Sequence, residues 1–338
     1  MLILSIETSC DETAAAVTEN GRKVLADIVL SQADLHKVYG GVVPEIASRR
    51  HAESISQLAD MALEEAGIRK KDINAVAVTY SPGLIGALLV GVNFSKAAAM
   101  ALGVPIVPVH HICGHVVANY IAYPDLKPPF ICLAISGGNT LLADVRDYTD
   151  MRLIGATADD AAGECFDKVA GVLGLGYPGG KPVDEAAKKG DDRKYRFPRA
   201  LIKGRPYDMS FSGLKTSVIN LIRNAERTGE SLDLPSLCAS FCAAVSDSLV
   251  SRTISAAKEF GRDKVAVAGG VAANLRIRRD FESAAREAGL KLYIPPPGLC
   301  GDNAAGTGCQ AYYEYLAGNI ADIDLNAAAR APLRRDPD

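Results

Sequence analysis

No tryptophan occurs among the 338 residues and aromatic side chains make up only 6% of them, so the interior has to be packed from the Ala, Gly and Val of a 48% apolar composition. That composition and length suit two closely packed α/β domains with sizeable cores. The eight cysteines (Cys10, Cys113, Cys132, Cys165, Cys238, Cys242, Cys300, Cys309) contain no C-x2-C pair. A zinc ribbon and a thioredoxin motif are thereby excluded, and cysteines placed within apolar runs read as buried free thiols of a reducing compartment. No basic region precedes the short apolar opening MLILSIE, so a signal peptide is not expected. The longest apolar stretch, Leu84 to Val92, is interrupted by glycines and far short of a bilayer span. A net charge of −3 excludes a bulk polycation.

The apolar pattern predicts strands at Leu2 to Ile6, Ala14 to Thr18 and Lys23 to Leu30, with an acidic turn, Ser9-Cys10-Asp11-Glu12, at the first corner. Pro44 opens an amphipathic helix to about Ala66. A strand at 74–79, a small-residue helix from about Ser81 to Leu102 and a strand at 105–109 follow. After a hinge at Pro124 to Pro129 the order restarts: strand 130–135, polar turn Ser136-Gly137-Gly138-Asn139, strand 140–145, then helices. These helices are placed at about 160–172, 182–188, 214–227 and 234–260, with a strand at 265–268 and a helix at about 272–288. The repetition points to a duplicated fold, with domains 1–125 and 126–301 and a C-terminal helix, about 302–330, returning to the first. A basic insertion at about 188–212 interrupts the second domain, and the tail after Ala331 is expected to be mobile.

Three of only five histidines lie in Val109-His110-His111-Ile112-Cys113-Gly114-His115. On a helix, His111 and His115 share one face and can grip one ion. Asp302, in the glycine-rich turn Cys300-Gly301-Asp302-Asn303, can add a carboxylate, and two histidines with one carboxylate suit iron(II) or zinc. The same spacing also suits hydrogen-bonded core histidines. Ser136-Gly137-Gly138 and Gly269-Gly270-Val271-Ala272-Ala273-Asn274 end strands in small residues that let backbone approach an anion or a planar base. Simple hairpin and strand-to-helix packing would use the same residues. Neither turn reads G-x-G-x-x-G or G-x4-G-K-[ST], which disfavours dinucleotide and P-loop sites there. Asp11 and Glu12 can position a water or take a proton, and Asp167 and Asp184, flanking Gly179-Gly180, can hold hydroxyls or an ammonium group. Eight basic residues between Lys188 and Arg205, against two acidic ones, and the cluster Arg276, Arg278, Arg279 can contact phosphates.

Together these features resemble the actin-like ATPase and sugar kinase superfamily. Six ordered motifs narrow the resemblance: Ile6 to Thr13, Gly40 to Arg49, Lys96 through His111 to His115, Ser136 to Thr140, Gly269 to Asn274 and Cys300 to Asn303. They are similar to the tRNA N6-adenosine threonylcarbamoyltransferase family in its bacterial, TsaD-like form, from Met1 to about Ala317. The resemblance implies a two-domain actin-like (ASKHA, duplicated RNase H-like) α/β fold with mixed sheets and flanking helices. It implies a metal, iron or else zinc, on His111, His115 and Asp302, and a substrate site at Ala134, Ile135, Ser136, Gly137, Gly138, Asp167, Gly180, Asp184 and Asn274. The implied reaction is the cytoplasmic transfer of threonylcarbamoyl from threonylcarbamoyl-AMP, or with an adenine nucleotide in the cleft, to N6 of adenosine 37 in tRNAs reading ANN codons. Asp11 is the candidate proton acceptor. Implied partners are the tRNA, a smaller catalytically silent paralogue (TsaB-like) and a small ATPase (TsaE-like), with no membrane. Two departures stand out: Ala134 replaces the metal-side Tyr of archaeal and eukaryotic relatives, and Asn139 stands where many bacterial members have His. The alternatives are an ATPase or kinase of the superfamily and a metalloprotease. The latter lacks its base, because Ile112 stands where a zincin has Glu after the first His.

Overall fold

Leu2–Glu7 forms β1, a strand whose nearly continuous apolar run is buried because it lies at the centre of a sheet. In the computed structural model, which describes residues 1–331 and Leu333, it pairs antiparallel with β2 (Glu12–Glu19), which in turn pairs with β3 (Lys23–Ser31). All of the tail beyond Ala331 except Leu333 lies outside the described residues. A short helix α1 (Ala33–Lys37) leads to α2 (Pro44–Ala66), which starts with its proline in the first turn and stops at Gly67, φ 65°. Then come β4 (Ala75–Ser81), parallel to β1, α3 (Ile85–Leu102), β5 (Ile106–His110), parallel to β4, and α4 (His111–Ala122). The sheet order is β3-β2-β1-β4-β5. Its core joins Ile6, Val17, Val76 and Val92 to Ile55 and Leu58 of α2.

The second sheet contains β6 (Phe130–Ile135), β7 (Thr140–Asp147) and β8 (Asp150–Ala156), followed by α5 (Ala162–Val172), α6 (Gly180–Ala187), α7 (Ser212–Thr228) and α8 (Leu234–Glu259). β9 (Lys264–Ala268), α9 (Leu275–Glu287) and β10 (Lys291–Tyr293) complete it. Read from β8, its order is β8-β7-β6-β9-β10, which is again third, second, first, fourth, fifth in chain order, with β7 and β6 antiparallel and the last two pairs parallel. The expected duplication is therefore a duplication of topology. Finally α10 (Ala304–Leu316) packs on α4, β1 and β2 of the first sheet.

Two compact units result. The first holds Met1–Pro128, Arg146–Met151 and the described residues from Gly301 on, and the second holds Pro129–Val145 and Arg152–Cys300. The β7–β8 turn, contiguous in sequence with the second sheet, thus groups with the first unit, where the Tyr148 ring stacks on Tyr313 at 4.2 Å.

α3 and α8 are each long and apolar enough to cross a membrane by length and composition. In α8, 78% of the most apolar 18-residue window is buried, as befits the core helix of its unit. α3 lays Ala87, Leu88, Gly91, Val92, Ser95 and Ala99 against its own unit. None of the eight cysteines is in a disulfide, and all but Cys10 are buried.

The basic segment is not an open cationic strip. Lys188 meets Glu185 (2.6 Å), Lys194 meets Asp233 (2.9 Å), Arg199 meets Asp247 (2.7 Å) and Arg205 meets Asp208 (3.5 Å). In the second cluster Arg276 pairs with Asp280 and Asp192, Arg278 donates to Pro295 O, and Arg279 lies 3.6 Å from Asp280. Much of the charge that invited phosphate is spent on the unit's own carboxylates and carbonyls.

Candidate metal centre and substrate turns

Parallel pairing of β1, β4 and β5 brings their C-terminal ends to one edge of the first sheet, the edge where α/β sheets place ligands. β5 runs directly into α4, so His111 is the first helical residue and His115 follows one turn later, both buried. Their ring centroids are 4.6 Å apart. Asp302 comes from the turn before α10, whose start is capped by Asn303 Oδ1 accepting from Gly306 N at 2.9 Å. α10 can lie this close to α4 only because residue 306 has no side chain: a Cβ there would stand 2.4 Å from Gly114 O.

The result is a three-ligand cluster in which one atom each from His111, His115 and Asp302 lies within 4.8 Å of the others. Asp302 Oδ1 is 3.2 Å from His115 Nε2 and 3.8 Å from His111 Nε2. His115 Nε2 is nonetheless a buried polar atom without a hydrogen-bond partner, an expensive state in a protein interior. Two imidazole nitrogens and a carboxylate converging around an unsatisfied atom fit a divalent cation.

The sequence reading missed what holds His111. Its Nδ1 lies 3.0 Å from Ser9 Oγ and 3.2 Å from Glu7 Oε2, while Glu7 Oε1 accepts from Ser9 N at 2.5 Å. A carboxylate only accepts, so Nδ1 carries the proton and Nε2 is turned toward Asp302. The one available signal was an acid closing an apolar strand. Burial alone would lower the His111 pKa, but the Asp302 and Glu7 carboxylates override it and raise it to about 9. Against the same burial, His111 holds Glu7 below its ordinary value, and His111 with His115 holds Asp302 well below the usual carboxylate range. A proton on His111 and a cation beside Nε2 answer to the same negative charge.

Asp11 and Glu12 sit at the β1–β2 corner of the same unit. Burial, then the Asp302 and Asp11 carboxylates, push Glu12 up to about 9, and Ser31 Oγ donates to it at 3.0 Å. Glu12 is therefore a neutral acid at pH 7, hydrogen-bonded to Asp11.

In the second unit, Ala134 and Ile135 are buried strand residues, and Ser136, Gly137 and Gly138 form the more exposed turn, closed by Ser136 N donating to Asn139 O at 2.8 Å. Because β6 and β9 are parallel, this turn lies beside Gly269, where φ is +88° and a Cβ would meet Ile135 O at 2.4 Å. The helix expected from about 272 starts at Leu275 instead, after a short 3-10 turn, because Asn274 is its cap: Oδ1 accepts from Ile277 N at 3.0 Å. Asn274 Nδ2 is buried with no well-formed hydrogen bond, the weak acceptor Cys242 being its neighbour. Asp184 accepts from Leu275 N at 3.2 Å and is joined to Asn274 by that contact. Asp167 accepts from Gly179 N at 2.7 Å, so it fixes the turn that leads into Gly180, the first residue of α6.

A family model described as TsaD, tRNA N6-adenosine threonylcarbamoyltransferase, matches residues 23–309. The chain belongs to this family. Among relatives carrying that name, one from Moorella thermoacetica is 50% identical over 98% of this chain and 97% of its own, and one from Clostridium botulinum is 48% identical over the same shares. Threonylcarbamoyltransferases of this family are metal-dependent, and the His111, His115, Asp302 group is a place for the ion. Solved structures confirm the two-domain actin-like fold. HypF from T. kodakarensis superposes with a TM-score of 0.63 at 17% identity, over 94% of this chain and 48% of that one. Component A of (R)-2-hydroxyglutaryl-CoA dehydratase from Acidaminococcus fermentans gives 0.53 at 17% identity, over 94% and 99%.

Proposed function

We propose that this chain transfers the threonylcarbamoyl group of threonylcarbamoyl-AMP to N6 of adenosine 37 in tRNAs reading ANN codons. The convergence of His111, His115 and Asp302, in a chain of this family, is the observation that carries the reading. An iron(II), or else zinc, would be held by those three residues and supply Lewis-acid anchoring of the charged donor. The turn Ser136 to Gly138 receives the anionic part of the donor, and Asn274 Nδ2, which has only the weak acceptor Cys242 beside it, donates to the adenylate. Asp184 accepts from a donor hydroxyl, while Asp167 acts by holding the Gly179-Gly180 turn. As the adenosine amine bonds to the carbamoyl carbon, the bond from that carbon to the phosphate oxygen breaks and AMP leaves. Asp11, at the β1–β2 corner, takes the amine proton. Adenosine 37 lies in an unpaired loop and can be presented without melting a helix.

The reading includes a cytoplasmic location, a smaller silent paralogue (TsaB-like) and a small ATPase (TsaE-like). Its test is mass spectrometry of nucleosides from an unmodified ANN-reading tRNA, incubated with the chain, both partners, ATP and freshly made donor. Threonylcarbamoyladenosine and stoichiometric AMP are expected; no modified nucleoside here, together with ATP loss by the chain when the small ATPase is left out, would replace the transferase with an ATPase. The Glu7 contact gives a second expectation. Glu7→Gln keeps the shape but weakens the orientation of His111, so affinity for added iron or zinc should fall by about 10- to 100-fold in a chelator competition. Unchanged affinity would reduce Glu7 to a packing role.

A further inference from the structure

The Gly40 to Arg49 motif and the histidine that follows it take no part in the chemistry above, yet His51 is fully buried in α2. Its ring reaches the acidic corner. His51 Nε2 is 2.9 Å from Cys10 O, and a carbonyl can only accept, so Nε2 carries the proton. Nδ1 then accepts from Thr13 Oγ1 at 2.8 Å, with Gln32 Nε2 a longer 3.4 Å away. Ser54, one helical turn on, donates to Arg50 O at 2.8 Å and lies 3.3 Å from Thr13 Oγ1.

The corner Ser9-Cys10-Asp11 is tied at every carbonyl. Ser9 O accepts from Leu84 N (2.8 Å), Cys10 O from His51, and Asp11 O from Gln32 N (3.0 Å). Two of these ties are backbone donors; the middle one is a side chain supplied by a separate helix. Gln32 itself is buried against α2, its Nε2 3.4 Å from Ala47 O. The corner therefore has no slack as long as the imidazole bridges Thr13 and Cys10.

We infer that His51 is a positioning residue, a bridge from α2 that fixes the Cys10 carbonyl and so sets the direction in which Asp11 and Glu12 present their carboxyl groups to the reaction. This rests on the transferase reading for its kinetic consequence, though not for the bridge itself. A misplacement of about 1 Å at such a group costs on the order of 10²-fold in rate.

The test compares His51→Gln, whose amide nitrogen reaches the place of Nε2, with His51→Asn, which matches the Thr13 side of the ring and falls short of Cys10 O. With the partners, donor and tRNA of the transfer assay, Gln should keep kcat within about threefold and Asn should lose about 10²-fold. KM for tRNA and bound metal should be unchanged in both. Equal kcat in the two variants, or a loss that appears only in melting temperature, would overturn the inference. Hydrogen exchange of the 8–13 amides reads the bridge without any turnover: Asn should speed it and Gln should not, and equal exchange also overturns it. An inactive wild-type chain with this exchange pattern intact would fault the transferase reading and leave the bridge standing.

Discussion

Asp302→Ala should strip the chain of bound metal and lower threonylcarbamoyl transfer by at least about 10³-fold, while leaving the fold in place. Loss of the carboxylate removes one of three ligands and leaves two histidines, which match the donor set of neither a structural nor a catalytic site. Lewis-acid stabilisation is worth several kcal/mol, and each 1.36 kcal/mol is tenfold, which gives the expected size. Folding should survive because the residues that secure the start of α10 are others: Asn303 caps Gly306 N, and Ser5 Oγ donates to Ala304 O at 2.7 Å. Asp302 also acts on its neighbours: its charge helps to raise the pKa of both Glu12 and His111, and its removal relaxes both rises. Elemental analysis, circular dichroism and the nucleoside assay on the same sample check all three parts. Full metal content with normal turnover would remove Asp302 from the centre.

How much of this centre the sequence displays depends on where the information lies. His111 and His115 are legible because a helix converts four residues of spacing into proximity, a local rule. Asp302 is legible as a carboxylate in a glycine-rich turn, but its place beside the pair is not, since that comes from the packing of α10 on α4. Glu7 was missed because its contact depends on the order of three strands, which places the end of β1 beside the start of α4. The pairing within the basic segment is hidden for a similar reason. Its neutralising acids Asp233 and Asp247 lie 39 and 48 residues from the cations they pair with, so a window of local charge cannot see them. β8 and β10 were also unread, the first carrying charged residues among its apolar ones and the second only three residues long, so their pairing neighbours define them. β1 and β2, buried, and the long β3 were legible nearly to their ends.

Gly306→Ala should destabilise the first unit by about 3 kcal/mol, whereas Gly114→Ala, on the facing helix, should be close to neutral. The asymmetry follows from where each new methyl would go. At 306 it would stand 2.4 Å from the Gly114 carbonyl oxygen, a backbone atom that cannot swing aside, whereas at 114 the nearest atoms, Thr307 N and Oγ1, are 3.7 Å away. Neither helix can retreat cheaply. α10 is held by Ser5 Oγ on Ala304 O and by Thr79 with Thr307 at 3.1 Å, and Gly308 sits against Ser5 and Thr18, where a Cβ would meet hydroxyl oxygens at 2.8 and 2.7 Å. The overlap must therefore be relieved by parting α4 from α10, and those helices carry the histidines and lead out of the Asp302 turn. Stability and metal affinity should fall together in Gly306→Ala, with a melting temperature lower by roughly 6–12 °C. In Gly114→Ala the new methyl makes only ordinary van der Waals contact and alanine adds helix propensity worth up to about 1 kcal/mol, so metal affinity should hold and the melting temperature should hold or rise slightly. If the two variants melted alike, the close approach of α4 and α10 would not be what assembles the centre.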